Sequence, residues 1–422
     1  MSTALVVSRF FPFNSTRIHA VYQRLGTQVR ALAQVTDIVH CLFLVPPDQA
    51  RTPTQLAEHQ RQLQALWAPN LEIELAPVVE ERPPDNAWDR YVRGIVDFSS
   101  HPIARPVRNP GAIAAVTRAL ARNPALVLAH RLSAMCLLLG RQPIPPTTFF
   151  DLDDVEHLAF ARRLLRDPDW PMERLLLLQT PRVLLAELEA MRRSVATFVC
   201  SEADRRLLRR WAPTSPIEVV PNSVAFPDTV SSGADTERLV LFVGSMGSRP
   251  NAQAVDFLVQ QVWPRVAAKA PDARLAIVGN GAELTQSHRA PPPGVSFLGF
   301  VDDLAGWYAR ARAVCCPILH GSGTRVKIIE AAANGKAIVS TRMGAEGLDF
   351  ERGREIVIAE GAAALADATC GLLDDPMRAE KLGTAARARA RVRYERDAVA
   401  ALLVRIFRDA LGQLGPAGGT DS

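Results

Sequence analysis

The chain has 422 residues, 48% apolar and 22% charged, with a formal net charge of +5. That length implies two or three domains with ample core, and that balance belongs to a folded globular protein, which excludes a disordered or fibrous chain. No apolar run approaches the roughly 18 residues of a membrane span, so no spanning helix is expected.

The opening residues, Met1 to Arg9, read as a first strand and not as a secretory leader, because they lack a basic start and a long apolar centre. Strands are predicted at Ala4 to Ser8, Thr36 to Leu44, Leu71 to Pro77, Ala125 to Ala129, Thr147 to Leu152, Ala196 to Cys200 and Ile217 to Val220. Helical periodicity lies between them near 17–34, 52–66, 111–122, 153–194 (broken around Pro168 and Pro171) and 202–211. Such alternation predicts parallel βαβ units. Pro221 to Arg238, rich in Ser, Asp and Gly, has the composition of a linker. The alternation then restarts, with strands at Leu239 to Gly244, Arg274 to Gly279, Val295 to Phe300, Ala313 to Pro317, Ala337 to Thr341 and Glu355 to Ile358. Two doubly wound halves predict a ligand cleft between domains.

Arg387, Arg389, Arg391 and Arg393 alternate through a helical stretch, and Ala398 to Leu411 forms an amphipathic helix. A solvated helix surface is the preferred reading of these arginines; the alternative is attraction to anionic lipid headgroups. Gly415 to Ser422 is expected to be disordered. The mild basicity, carried far more by Arg than by Lys, suits an anionic substrate, although solvated helix faces account for most of it. Cys41, Cys136, Cys200, Cys315, Cys316 and Cys370 stand singly or adjacent in apolar runs. They show neither metal-ligand spacing nor a disulfide framework and read as small core residues in a reducing cytoplasm.

Residues 313–348 are the most informative. The apolar run at 313–318 reads as a buried strand, and Gly321 and Gly323 then break the pattern. From Thr324 onward Val326, Ile329 and Ala333 fall at helical spacing, and Gly335 stands where a helix C-terminus favours glycine. Ala337 to Ser340 is the next strand. A Gly-rich loop thus delivers backbone N–H groups to a helix N-terminus, whose unpaired donors and dipole favour an anion. Arg325 and Lys327 add two cations to the same turn, an arrangement suited to a diphosphate. Glu330, six residues into the expected helix, lies far enough on to meet a sugar hydroxyl.

The wording Gly-Ser-Gly-Thr-Arg-x-Lys-x-x-Glu-Ala at 321–331, with Gly335-Lys336 and Gly344-Ala-Glu-Gly-Leu348, resembles the nucleotide-sugar-binding loop of glycosyltransferase family 4, in the form typical of one bacterial branch. The resemblance extends through Val240 to Met246 with Pro250-Asn251, Ile277 to Gly281, Val295 to Val301, Leu382-Gly383 and Ala386 to Arg389, in order over about 170 residues. It implies an α/β protein of the GT-B type, two Rossmann-like doubly wound domains facing a central cleft, and a retaining enzyme. It further implies that Gly321, Ser322, Gly323, Thr324, Arg325 and Lys327 hold the donor diphosphate and that Glu330 binds ribose.

Two departures stand out. The family's usual motif has a second Glu eight positions before Glu330, where this chain has Ser322. Many relatives place an Arg after the glycine that ends the first strand of this domain and a Lys about six residues on; here Ser245 and Asn251 occupy those places, with Arg249 nearby. Arg325 and Lys327 are expected to replace that clamp, because a dianionic leaving group needs cationic stabilisation.

The first domain is less explicit. Its first loop, Phe10 to Arg17, lacks glycine, and Asn14, Ser15 and Thr16 could cap the next helix or offer hydrogen bonds to a ligand. By resemblance His130, ending a strand, stands roughly where relatives have a His near the transferred sugar, and it is the candidate catalytic residue. Asp151-Leu-Asp-Asp154 matches the Asp-x-Asp wording of metal-dependent GT-A transferases, but a helix start capped by Asp153 or Asp154 is preferred. Glu202 and Asp204 read as first-turn partners of a helix dipole.

The combined expectation is an N-terminal domain over 1–222, a linker over 223–237, a nucleotide-sugar domain over 238–394, a helix at 395–414 that packs back on the first domain, and a disordered tail at 415–422. The expected activity is sugar transfer with retention from a nucleotide diphosphate donor to a glycan, lipid-linked glycan or small molecule. Neither a cofactor nor a metal is expected, nor a nucleic-acid partner, and the location is cytoplasmic, with peripheral membrane contact as an option. A non-catalytic sugar-nucleotide-binding or partner-binding protein and a nucleotide-sugar 2-epimerase are the alternatives.

Overall fold

A computed structural model describes residues 1–13, 20–78, 86, 91–98, 101, 103–140, 144–230 and 236–413. The chain divides into two compact units: Met1–Asn222 together with the chain from Asp397 onward, and Ser223–Arg396.

In the first unit β1 (Thr3–Ser8), β2 (Ile38–Val45), β3 (Leu71–Pro77), β4 (Leu126–His130), β5 (Thr148–Asp153), β6 (Thr197–Val199) and β7 (Ile217–Val219) pair in the order β3-β2-β1-β4-β5-β6-β7. Every pairing is parallel. Leu5 and Val7 of β1 join one core with Val127 and Ala129, whereas Ala4 and Val6 join the other with Leu126 and Leu128. Side chains alternate across a strand, so a strand covered on both faces is apolar at nearly every position, which is why the central strands β1 and β4 read as near-continuous apolar runs.

The flanking helices are α1 (Ala20–Leu32), α2 (Pro53–Leu66), α3 (Arg93–Val96), α4 (Pro110–Leu120), α5 (Leu132–Leu139), α6 (Glu156–Arg166), α7 (Thr180–Arg193) and α8 (Glu202–Leu208). The long helical expectation over 153–194 is divided near its prolines: α6 stops before Pro168, and a 3₁₀ segment runs Pro171–Gln179 before α7. Helix α5 was not predicted. Leu132, Ala134, Met135, Cys136, Leu137 and Leu138 are all buried, so the helix has no polar stripe to reveal its period.

In the second unit β8 (Leu239–Val243), β9 (Arg274–Val278), β10 (Val295–Gly299), β11 (Ala313–Cys316), β12 (Ala337–Ser340) and β13 (Val357–Ile358) pair in the order β10-β9-β8-β11-β12-β13, again all parallel. Around them lie α9 (Arg249–Phe257), α10 (Trp263–Lys269), α11 (Leu304–Arg310), α12 (Val326–Ala333), α13 (Gly361–Asp374) and α14 (Pro376–Tyr394). Part of the stretch read as linker is packed: Val224 is 3% exposed in this unit's core and bridges Glu395, and Phe226 lies under the guanidinium groups of Arg387 and Arg391.

Helix α15 (Arg396–Gln413) follows, and Val399, Leu403, Val404, Phe407 and Ala410 enter a core of the first unit. The Phe407 ring meets Phe149 edge-on at 5.1 Å. Full burial of a side chain such as Leu403 or Phe407 contributes about 1.5–3 kcal/mol, which fixes α15 to the first unit. The expected tail at 415–422 lies outside the described residues.

Candidate functional site

In an open parallel sheet the ligand crevice forms at the carboxyl ends of the strands, where the strand order reverses. That point lies between β8 and β11 in the second unit and between β1 and β4 in the first.

At the second unit's reversal, three loops converge. The one after β8 begins at Gly244, the one after β9 at Gly279, and the one after β11 carries Gly321 to Thr324. A Cβ on Gly279 would stand 2.1 Å from the carbonyl oxygen of Gly244, so only glycine permits that approach of backbone to backbone. Gly321 and Gly323 have φ of +120° and +73°, values that favour glycine and that turn the loop onto α12.

Helix α12 begins later than the spacing implied. Arg325 is its N-cap in extended conformation, and Val326 is the first helical residue, which makes Glu330 the fifth. The Arg325 guanidinium folds back on the loop, donating from Nη1 to the carbonyls of Ser322 and Gly323, so it braces the turn that precedes the helix. At the far end Gly335, with φ +66°, follows the Asn334 cap as the sequence implied.

Lys327 leaves α12 toward the loop after β8. Its Nζ donates to Oδ1 of Asn251 at 2.5 Å and lies 4.6 Å from the centre of the Phe242 ring. The Asn251 amide in turn donates to the carbonyl of Ser245 at 2.7 Å. A Cβ on Gly244 would stand 2.6 Å from Nζ, so the glycine makes room for the ammonium. Burial lowers the Lys327 pKa to about 8; the neighbouring Cys316 opposes that shift, the like charge of Arg325 adds to it, and Glu330 opposes it more weakly. Among the described residues no carboxylate lies within salt-bridge distance of this half-buried ammonium. Glu330 is half-buried on the same helix, and its charge adds to burial in raising the Tyr308 hydroxyl. Arg249 is the first residue of α9, and His320 beside the glycine loop is hydrogen-bonded to Gln253 of that helix.

The first unit's reversal holds a buried charge network. His130 ends β4, is 0% exposed, and shares a 2.9 Å hydrogen bond from Nδ1 with the Ser8 hydroxyl at the end of β1. Its Nε2 is 3.8 Å from Oδ2 of Asp151, and burial lowers its pKa to about 4, which leaves the ring neutral at physiological pH. Asp151 accepts from Nε of Arg24 at 3.0 and 3.1 Å and from Gln28 at 2.6 Å. Asp153 accepts from Arg131 at 2.5 Å and from the Cys200 thiol at 2.9 Å. Burial opposes the Asp153 charge, but Arg131 and then Arg24 outweigh it and hold the pKa near 2.

The helix-capping reading of Asp153 and Asp154 is therefore corrected. The N-cap of α6 is Val155, with no side-chain cap, because Arg24 and Arg131 already engage both carboxylates of the Asp-x-Asp wording. Among the described residues no group of His, Cys, Asp and Glu side chains could hold a metal ion. Glu202 and Asp204 do lie in the first turn of α8, where the Ser201 hydroxyl accepts from the Asp204 N–H at 3.1 Å. All six cysteines are buried and unpaired in disulfides. Asn14, Ser15 and Thr16 lie outside the described residues.

Of the predicted residues, Gly321 to Thr324, Arg325, Lys327, Glu330, Arg249 and Asn251 gather in the second unit, and His130 belongs to the first. Sequence reasoning missed Arg24 and Gln28. Arg24 stands between Gln23 and Leu25, with Thr27 and Gln28 following, ordinary company in an amphipathic helix, so no local signal marked it.

With this geometry in place, likeness to known proteins can be assigned. The two parallel-sheet α/β units have the GT-B fold. The chain is similar to sucrose-phosphate synthase from Thermosynechococcus elongatus, with a TM-score of 0.68 and 16% identity over 98% of this chain and 100% of that one. It is also similar to the Anabaena protein HepE in complex with UDP and glucose, with a TM-score of 0.62 and 14% identity over 98% and 100%. Residues 237–375 match the family described as Glycosyl transferases group 1, so the second unit carries that domain. The chain is 33% identical over 223 residues to the phosphatidyl-myo-inositol mannosyltransferase of Mycolicibacterium smegmatis, a match over 49% of this chain and 56% of that protein. It thus spans about half the length of this curated relative. Among the described residues no helix is long and apolar enough to cross a membrane.

Proposed function

We propose that this protein is a glycosyltransferase that moves a sugar from a nucleoside diphosphate donor to a hydroxyl acceptor, with retention of configuration and without a required metal. The observation that carries this reading is Lys327: a half-buried ammonium with no carboxylate in reach among the described residues, facing a glycine-lined loop at the strand-order reversal. An unpaired cation costs stability where water is scarce, and a bound anion offsets that cost. The family match covers this loop, and HepE, of the same fold, is described in complex with UDP and glucose.

In this reading Lys327, the N–H groups at the start of α12 and the backbone of Gly321 to Thr324 hold the diphosphate, with Arg325 bracing the loop, and Glu330 accepts from the ribose hydroxyls. The bond between the anomeric carbon and the phosphate oxygen breaks, and the acceptor oxygen bonds to that carbon on the same face. The acceptor's proton passes to the departing phosphate, so no protein base is required. Lys327 and the helix dipole stabilise the charge that develops on the leaving group. The first unit takes the acceptor, a glycan, a lipid-linked glycan or a small molecule, and His130 is its candidate catalytic residue. The location is the cytoplasm or the inner membrane face.

A thermal-shift panel of nucleoside diphosphate sugars tests this directly. A ligand at 100 times its Kd adds about 2.7 kcal/mol of stability, which a melting curve resolves. A radiolabelled donor that stabilises the protein should then transfer its sugar to a supplied acceptor. A panel with no stabilising member counts against the proposal.

A further inference from the structure

We infer that Asn251 is a positioning residue: its side-chain amide fixes the Lys327 ammonium against the glycine-lined end of β8 without cancelling its charge, and diphosphate recognition acts through that hold. The inference rests on the diphosphate reading of the same site.

A lysine is a point charge on a flexible stem rich in rotamers, so by itself it sets no geometry. Here it is held on three sides. Asn251 Oδ1 accepts from Nζ at 2.5 Å, the Phe242 ring lies beneath at 4.6 Å, and Gly244 leaves the space an added Cβ would fill. Asn251 is itself fixed, because its Nδ2 donates to the Ser245 carbonyl at 2.7 Å and its backbone N–H to the Ser248 carbonyl at 2.9 Å. A cation on one side and a carbonyl on the other select the same amide orientation. A neutral acceptor is the chemistry required. An aspartate of the same shape would orient Lys327 equally well but would compete with a phosphate for its charge. The other charged or titratable groups that act on Lys327 are Arg325 at the start of α12, Glu330 one turn on, and the buried Cys316 thiol of β11. Among the described residues, Asn251 alone supplies a hydrogen-bond acceptor to the ammonium.

The test compares wild type, Asn251→Asp and Asn251→Leu in the full chain, with melting curves to show that each folds. The first measurement needs no ligand. The chain has four lysines, so ¹³Cε-lysine NMR follows each titration, and the Lys327→Arg spectrum assigns the signal of interest. Asn251→Asp should move the Lys327 midpoint upward, through the added charge, and Asn251→Leu should move it downward, through loss of the acceptor. The second measurement is calorimetric binding of UDP, pyrophosphate and uridine. Asn251→Asp should weaken UDP and pyrophosphate by at least about tenfold, since two opposite charges at contact distance compete strongly with a ligand. Uridine, which lacks phosphates, should be unaffected. Variants that titrate as wild type and bind UDP within about twofold of it overturn the inference. Should wild type bind neither UDP nor pyrophosphate, the diphosphate reading fails, and the titration alone decides whether Asn251 holds Lys327.

Discussion

Replacing Lys327 with Gln tests the centre of the proposal. The substitution keeps a side chain of similar length but removes the charge that faces Gly244 and Asn251. A hydrogen bond to a charged group contributes about 1.5–3 kcal/mol, which corresponds to a loss of roughly tenfold to a hundredfold in UDP affinity. Binding of uridine should not change. The pH dependence supplies an independent sign. Burial lowers the Lys327 pKa to about 8 in the ligand-free protein, and the diphosphate binds the charged form. Affinity is therefore full below pH 8 and falls as pH rises through 8, because more of the free protein has lost the proton that binding requires. In Lys327→Gln that decline should vanish. Stability of the ligand-free protein runs the other way. The folded pKa lies below the unfolded value of 10.5, so folded Lys327 binds fewer protons than unfolded between those limits, and stability rises with pH across that window. Calorimetric titration of UDP and uridine between pH 6.5 and 9.5 measures these effects. Equal losses for UDP and uridine, or an unchanged pH decline in the variant, would refute the reasoning.

Glu330→Ala should weaken UDP and uridine alike, by about 1.5–3 kcal/mol, since ribose is common to both; calorimetry showing a loss confined to UDP would move Glu330 to the phosphates. Turnover should persist in excess EDTA, because Arg24 and Arg131 already engage Asp151 and Asp153; loss of activity that Mn²⁺ restores would reassign those carboxylates. Arg24→Met should destabilise the first unit by about 3–5 kcal/mol, the cost of leaving a buried carboxylate unpaired, as read from urea unfolding. Arg24→Met together with Asp151→Leu should recover much of that loss.

The alternation of apolar runs and helical periods by itself determined a doubly wound α/β chain, because strands covered on both faces are apolar at nearly every position. The strand assignments at β1, β4, β8, β11 and β12 were legible for that reason, and edge strand β3 by the alternation of Leu71, Ile73 and Leu75 with Glu72 and Glu74. The glycine loop before α12 was legible too, because positive φ at Gly321 and Gly323 demands the residue that local wording displays. Helix α5 was hidden because burial on all sides erases the period that announces a helix. The start of α12 and the role of Arg325 depended on where the guanidinium found acceptors, the carbonyls of Ser322 and Gly323. Asp153 looked like a helix cap until Arg131, distant in sequence but adjacent in the sheet, claimed its carboxylate. Lys327 and Asn251 are separated by 76 positions, and neither carries a mark that the other is its partner. Local chemistry writes turns, caps and periodicity into neighbouring residues. Which cation meets which acceptor is set by strand order, and only the tertiary structure brings the ends of β8 and β11 together.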